Sequence, residues 1–333
     1  YANFLVILQP IYANIVPMDA NSFGDKWTFT SFGESHGAAV GGVLDGVPAG
    51  ISINIEMIRE ELDRRAGKGD IGYGLQITGV SARAKNEPDE VEWLSGVITK
   101  DSSGELITLG TPIAFLIRNR DARPEAYEAF KHTYRVGHAD KTYEIKYGIR
   151  DWRGGGRASA RETASRVVAG EIAKQQLAAK GIDIHAQLIQ VGEETNPNAF
   201  PALIERIQSE GDSIGGVIEC IIHGLPAGTG EPIFHKLQAE LAFAILSINA
   251  CKGFEYGTGF EGVGKKGSEI NAVSGGIAGG ISDGTDIVFR CVFKPTPSTP
   301  KAGVKGRHDA CVAVRAVPVV EAMTAMALIN LID

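Results

Sequence analysis

Two histidines and a cluster of arginines are the groups in this chain best suited to chemistry near neutral pH. The run SFGESHG at 31–37 sets Ser35 and His36 on a glycine turn, and GHAD at 137–140 repeats the pattern with His138 and Asp140. Glycines beside an imidazole let a ligand approach closely, and histidine titrates where proton transfer is useful. The run DWRGGGRASARET at 151–163 joins bare backbone to Arg157, Ser159 and Arg161, just before a helix-like pattern. Backbone N–H groups, guanidinium forks and a helix start together describe an anion site for phosphate or carboxylate. Further on, KPTPS at 294–298 offers Lys294 on a proline-stiffened loop, and GRHD at 306–309 places Arg307, His308 and Asp309 together.

Elements must position these groups. Helical patterns run over 56–65, 162–179, 201–210, 236–247 and 316–332, and strand-like runs over 187–192, 215–223 and 287–293. Loose alternation between 21 and 55 predicts strands and a hairpin. Strands and helices mix without regular βαβ alternation, which predicts an α+β fold with antiparallel sheets. No repeat or linker divides the chain, so residues 21–333 read as one domain. Residues 1–20 read as an extension outside the fold, because their apolar run lacks the length to span a bilayer and the basic flank of an export signal.

Composition narrows the function classes. The 333 residues carry a formal net charge of −7, which opposes nucleic acid and anionic membrane, so any anion must be met by a local basic pocket. Cys220, Cys251, Cys291 and Cys311 are widely spaced and read as reduced thiols of a cytoplasmic protein, and no metal is expected. GTGFEG at 257–262 matches G-x-G-x-x-G without a strand before it or a helix after it, and GFEGVGKK at 259–266 ends on Lys266 where a P-loop needs a hydroxyl. Both nucleotide motifs are set aside. The residues alone thus describe a cytosolic enzyme with a cationic pocket and acid–base histidines.

In order along the chain, FGESHG, ELDRR, GHADKTYEIKYGIRDWRGGGRASARET, SINACKG, GGIAGGIS, KPTPS and GRHDACVAVRAVPVVEAM resemble the chorismate synthase family over about residues 21–333. The resemblance implies a lyase of the shikimate pathway. It would eliminate phosphate from 5-enolpyruvylshikimate 3-phosphate in an anti-1,4 sense, with reduced FMN and no net redox change. It implies His138 as the acid at the leaving phosphate, His36 as proton donor to the flavin, and Asp309 as a base near flavin N5. Ser35 and Ser159 would relay protons. Arg157, Ala158, Ser159, Asn249, Ala250, Gly279, Lys294, Pro295, Thr296, Pro297, Ser298 and Arg307 would line the FMN site, with Arg65 and Arg161 on substrate anions. A β-α-β sandwich assembled as a homotetramer is implied, with the flavin reduced either by NADPH on the same chain or by a separate reductase. Three places depart from the family pattern: Ile71 stands where an arginine is usual, 66–86 is long, and Ala310 replaces a proline; Lys68 and Arg83 are the nearest substitutes for the arginine. The alternatives are a non-catalytic flavin- or anion-binding homologue and, more distantly, a kinase.

Overall fold

The computed structural model describes residues 20–74, 88–100, 105–269, 274–304 and 308–332. All but the last residue of the expected extension, along with Arg83 and Arg307, lies outside the described residues. In the first half, β1 (Ser22–Phe23), β2 (Thr28–Phe32), β3 (Ala39–Asp45) and β4 (Ser52–Ile53) lead to α1 (Ile55–Arg65). Next come β5 (Val91–Ser95), β6 (Val97–Thr99), β7 (Leu106–Thr108), β8 (Ile113–Arg118), α2 (Asp140–Tyr147) and α3 (Thr163–Ala179). The second half runs β9 (Asp183–Val191), α4 (Phe200–Ser209), β10 (Gly216–His223), α5 (Leu237–Leu246) and β11 (Cys251–Tyr256). It closes with β12 (Ile277–Ala278), β13 (Ile281–Ser282), β14 (Ile287–Phe293) and α6 (Ala313–Leu331).

Two antiparallel sheets, ordered β1-β2-β3-β8-β5 and β11-β14-β10-β9, enclose helices. Each sheet has one apolar face: Ile113, Phe115 and Ile117 of β8, and Ile287, Phe289, Cys291 and Phe293 of β14, alternate inward. Helix α3 packs on β3 and on α6, while α6 packs on β9 and β10, so the order through the core is sheet, helix, helix, sheet. The helices meet closely at Gly170, where a Cβ would come within 2.5 Å of the Ala322 Cα. Helix α6 is long and apolar enough to cross a bilayer by length and composition, yet its apolar window is 83% buried here, as a core helix must be.

The expected α+β sandwich is observed. Helix α6 begins three residues before the predicted start and carries Pro318 inside it, because Ala313 and Val314 are fully buried in the same packing. One expectation is corrected: a strand, β11, does precede GTGFEG. That strand is antiparallel to β14, and a 3₁₀ turn over Gly259–Gly264 follows instead of an α-helix, so the dinucleotide context is still missing.

Candidate active site

Loops from both sheets and the ends of three helices converge on one cavity of about 390 Å³, a size typical of small-molecule sites. His36 enters from the turn between β2 and β3. Its Nδ1 lies 3.1 Å from the Ser35 hydroxyl, itself buried, which accepts the Gly155 N–H at 3.3 Å. The His36 ring meets Tyr127 edge-on at 5.1 Å, and the Arg135 guanidinium lies 5.4 Å from the same tyrosine ring. His138 precedes α2, with Nδ1 2.9 Å from Asp140 Oδ1.

The triple glycine is explained by what touches it. A Cβ at Gly154 would lie 2.2 Å from His36 Nδ1, and one at Gly155 would lie 3.2 Å from His138 Nε2. Bare backbone here makes room for the two imidazoles.

Arg65 is delivered by α1, whose buried face is Ile58, Leu62 and Arg65, and whose start is capped by Asn54 accepting from the Glu56 and Met57 amides. Its guanidinium donates to Thr163 Oγ1 at 2.9 Å, to the Ala160 carbonyl at 2.6 Å and to Asp89 at 3.1 Å. Arg161 pairs with the other Asp89 oxygen and with Asn119. Arg315, from the first turn of α6, pairs with Asp309 at 2.8 Å. Three guanidiniums therefore share two carboxylates. Burial and then the neighbouring Arg315 and Arg161 charges pull Arg65 down to about 9, with Asp89 and Asp309 opposing. Burial would raise Asp89, but Arg161 and Arg65 overcome it and hold its carboxyl below the usual range. Lys294, on the loop after β14, is lowered by burial and by Lys252. The cluster carries surplus positive charge in low dielectric, an arrangement that an anion relieves.

The structure brings together His36, His138, Asp309, Ser159, Arg65, Arg161, Ala158, Asn249, Ala250, Lys294, Thr296, Pro297 and Ser298 on this cavity, with Ser35 behind His36. Arg157 does not line it. Its guanidinium turns to Ser31 Oγ at 2.5 Å and to the Ser31 and Gly33 carbonyls, beside an adjoining open groove that shares His138, Ala139, Gly155 and Ala158 with the cavity. Pro295 and Gly279 do not line it either. Gly279 lies in the β12–β13 hairpin, whose Gly280 carbonyl accepts from Leu237 N at the start of α5, whereas Asn249 follows the far end of that helix. Ile71 belongs to the core, and Lys68 pairs with exposed Asp63 and does not line the cavity.

Sequence reasoning missed Asp89, Tyr127, Arg135 and Arg315. Only proximity to the histidine motif could have flagged Arg135, since the others sit in unremarkable contexts. Among the described residues no group of three or more His, Cys, Asp or Glu converges as a metal site.

A family model described as chorismate synthase matches residues 27–332. A curated chorismate synthase of Christiangramia forsetii is 45% identical, over 93% of this chain and 97% of its own length. One of Phocaeicola vulgatus is 46% identical, over 93% and 97%. A solved crystal structure of chorismate synthase superposes with a TM-score of 0.71 at 29% identity, covering 93% of this chain and 92% of its own.

Proposed function

The chain belongs to the chorismate synthase family, and from that premise we propose that its cavity binds 5-enolpyruvylshikimate 3-phosphate beside reduced FMN and eliminates phosphate to give chorismate. The observation that carries this reading is the convergence of both histidines on a cavity with surplus positive charge. A non-catalytic homologue would have no need to keep two imidazoles against bare backbone.

The residues present fit a flavin. Asn249 Oδ1 is buried without a hydrogen-bond partner, and it requires a donor of the kind the flavin ring supplies. Ala250 beside it holds a left-handed backbone at φ 69°, the strain expected where a ligand fixes the chain. Ala158, Ser159, Lys294 and Thr296 to Ser298 complete the wall that would hold the cofactor. When bound, reduced FMN supplies electron density and a destination for the ring hydrogen without net redox change.

The chain's own residues would act as follows. Arg65, Arg161 and Arg315 neutralise the carboxylates and phosphate of the substrate. His138 donates its Nε2 proton to the departing phosphate, whose charge grows as the C–O bond breaks. Ser35 holds Nδ1 of His36, which supplies a proton to the flavin, and Asp309, paired with Arg315, serves as the base. Ser159 relays protons toward His138. Arg157 acts indirectly, by fixing the strand end that carries Ser35 and His36.

We assign the protein to the cytoplasm, as the unpaired state of its four cysteines supports. Self-association, for which we propose a homotetramer, is supported by apolar side chains that one chain leaves bare, among them Phe234 at 86%, Phe260 at 85% and Val263 at 95% exposure. The test is an anaerobic assay with chemically reduced FMN, expected to yield chorismate and phosphate in equal amounts. A parallel reaction under air with oxidised FMN and NADPH distinguishes self-reduction from dependence on a separate reductase. Absence of chorismate under anaerobic conditions, with substrate binding intact, would leave the binding-module reading in its place.

A further inference from the structure

We infer that Asp140 is the positioning residue for His138, accepting a hydrogen bond from the imidazole Nδ1–H so that Nε2 faces the cavity with a proton to give. This rests on the reading of His138 as the acid.

Asp140 is buried at 4% exposure and opens α2, where the free amides of the first turn favour a carboxylate. Its Oδ2 accepts the Arg135 backbone N–H at 3.1 Å and Nε at 2.9 Å. Its Oδ1 accepts from the far Arg135 nitrogen at 2.8 Å and lies 2.9 Å from His138 Nδ1. Burial would raise this carboxyl, but hydrogen bonds from Arg135 and His138 hold it far below the usual range. It therefore accepts and never donates. The same Arg135 nitrogen donates to the Gly154 carbonyl at 2.5 Å, so one ion pair ties the histidine loop to the glycine run that carries the other face of the site.

The charges facing this pair come from several elements. Arg135 lies 3.2 Å from His138 Nδ1, Arg150 approaches Asp140 Oδ1 at 3.8 Å, and Lys294 Nζ donates to the Gly137 carbonyl at 3.0 Å. Those three cations oppose an imidazolium, and Asp140 is the anion in direct contact that offsets them. In the step itself the Nε2–H bond breaks, the proton goes to a phosphate oxygen, and the Nδ1 proton stays on the imidazole, hydrogen-bonded to Asp140.

Three variants and one spectrum test this. Asp140→Asn should lower kcat by about 10–100-fold, within the range a general acid contributes. In a His138→Ala background the same substitution should cost less than about twofold more, since a residue acting through His138 has nothing left to act on. An equal cost in both backgrounds overturns the inference while His138 keeps its role. A His138→Ala variant with near-normal kcat overturns the role instead. Should Asp140→Asn fail to fold, ¹⁵N-histidine spectra of the unmodified protein, assigned by the signal lost in His138→Ala, decide alone. Nδ1 must remain protonated in the neutral ring, and an unprotonated Nδ1 overturns the assignment.

Discussion

Gly154 shows how residue-scale chemistry is set by neighbours the sequence does not reveal. Its φ of +65° suits glycine, and an added Cβ would also stand 2.8 Å from Ser35 Oγ, beyond the collision with His36. Gly154→Ala should therefore displace the imidazole and lower kcat by about 10²-fold, the size of effect a misplacement near 1 Å produces. Gly50→Ala is the control: it has a comparable φ of +86° and open space around it, so it bears the backbone strain without the collision. Activity assays and unfolding midpoints on both variants separate the two effects. Equal activity in Gly154→Ala and Gly50→Ala would show that the glycine serves the backbone alone. At this scale the sequence revealed the histidines, the glycines and Arg161 by type and spacing. It did not reveal that the glycines serve the imidazoles, because His36 and Gly154 lie in distant segments. Asp89 and Arg315 stayed hidden because an isolated aspartate or arginine looks like any surface charge until burial is known.

Where α1, α3 and α6 meet β9, the helices bury a second charged cluster that the cavity does not use. Glu321 accepts from Arg64 at 2.8 Å, from Lys174 at 2.6 Å and from the Ala186 amide at 2.9 Å, and Glu61 shares both cations. Two cations thus face three carboxylates once Glu171 is counted. Burial pushes Glu171 up to about 7, with Lys174 opposing and Glu61 adding to the shift. The unfolded chain releases this proton near pH 4.5, whereas the folded chain keeps it until about 7, so this group's contribution to stability falls as pH rises through that window. Glu171→Gln should then match the parent near pH 4.5 and exceed it above pH 7, by on the order of 3 kcal/mol if the whole shift is expressed. Urea unfolding at the two pH values checks this, and a variant less stable than the parent at pH 8 would mean that the ionised form is the one the cluster holds. Helices with a clear 3.6-residue rhythm, α1 and α3 among them, were legible from the sequence. Strand β8 was not, since six mostly apolar residues, IAFLIR, fit a buried strand or a helix turn equally. Helix α2 was not, because only Asp140 of its eight residues is buried and no apolar stripe marks it.

The cavity is a property of the whole molecule: His36 comes from the first sheet, Arg65 from the end of α1, Asn249 from between α5 and β11, Lys294 from the second sheet, and Asp309 from just before α6. The α+β class with antiparallel sheets could be read from the chain, and the layering came with the family resemblance, but which loops meet depends on long-range packing that no local pattern encodes. Such a site couples ligand binding to global stability, because unfolding any one layer scatters its wall. A ligand that binds only the folded chain stabilises it by RT ln(1 + [L]/Kd), about 2.7 kcal/mol at a hundredfold excess over Kd. For a chain of this size that moves the unfolding midpoint by on the order of 5 °C. If the proposed function holds, substrate with oxidised FMN occupies the cavity without being converted and should give the full shift. Inorganic phosphate at the same concentration should give less, since it engages fewer of the guanidiniums. The gain has a specific source: Arg65, Arg161 and Arg315 repel one another, and a bound anion offsets that repulsion by attracting all three. Arg65→Met, which removes one of the three charges, should for that reason shrink the ligand-induced shift, while it also lowers the midpoint of the free protein because Asp89, Thr163 and the Ala160 carbonyl each lose a buried donor. Differential scanning fluorimetry of both chains, with and without the ligand pair, checks this, and an undiminished shift in Arg65→Met would place the anion elsewhere.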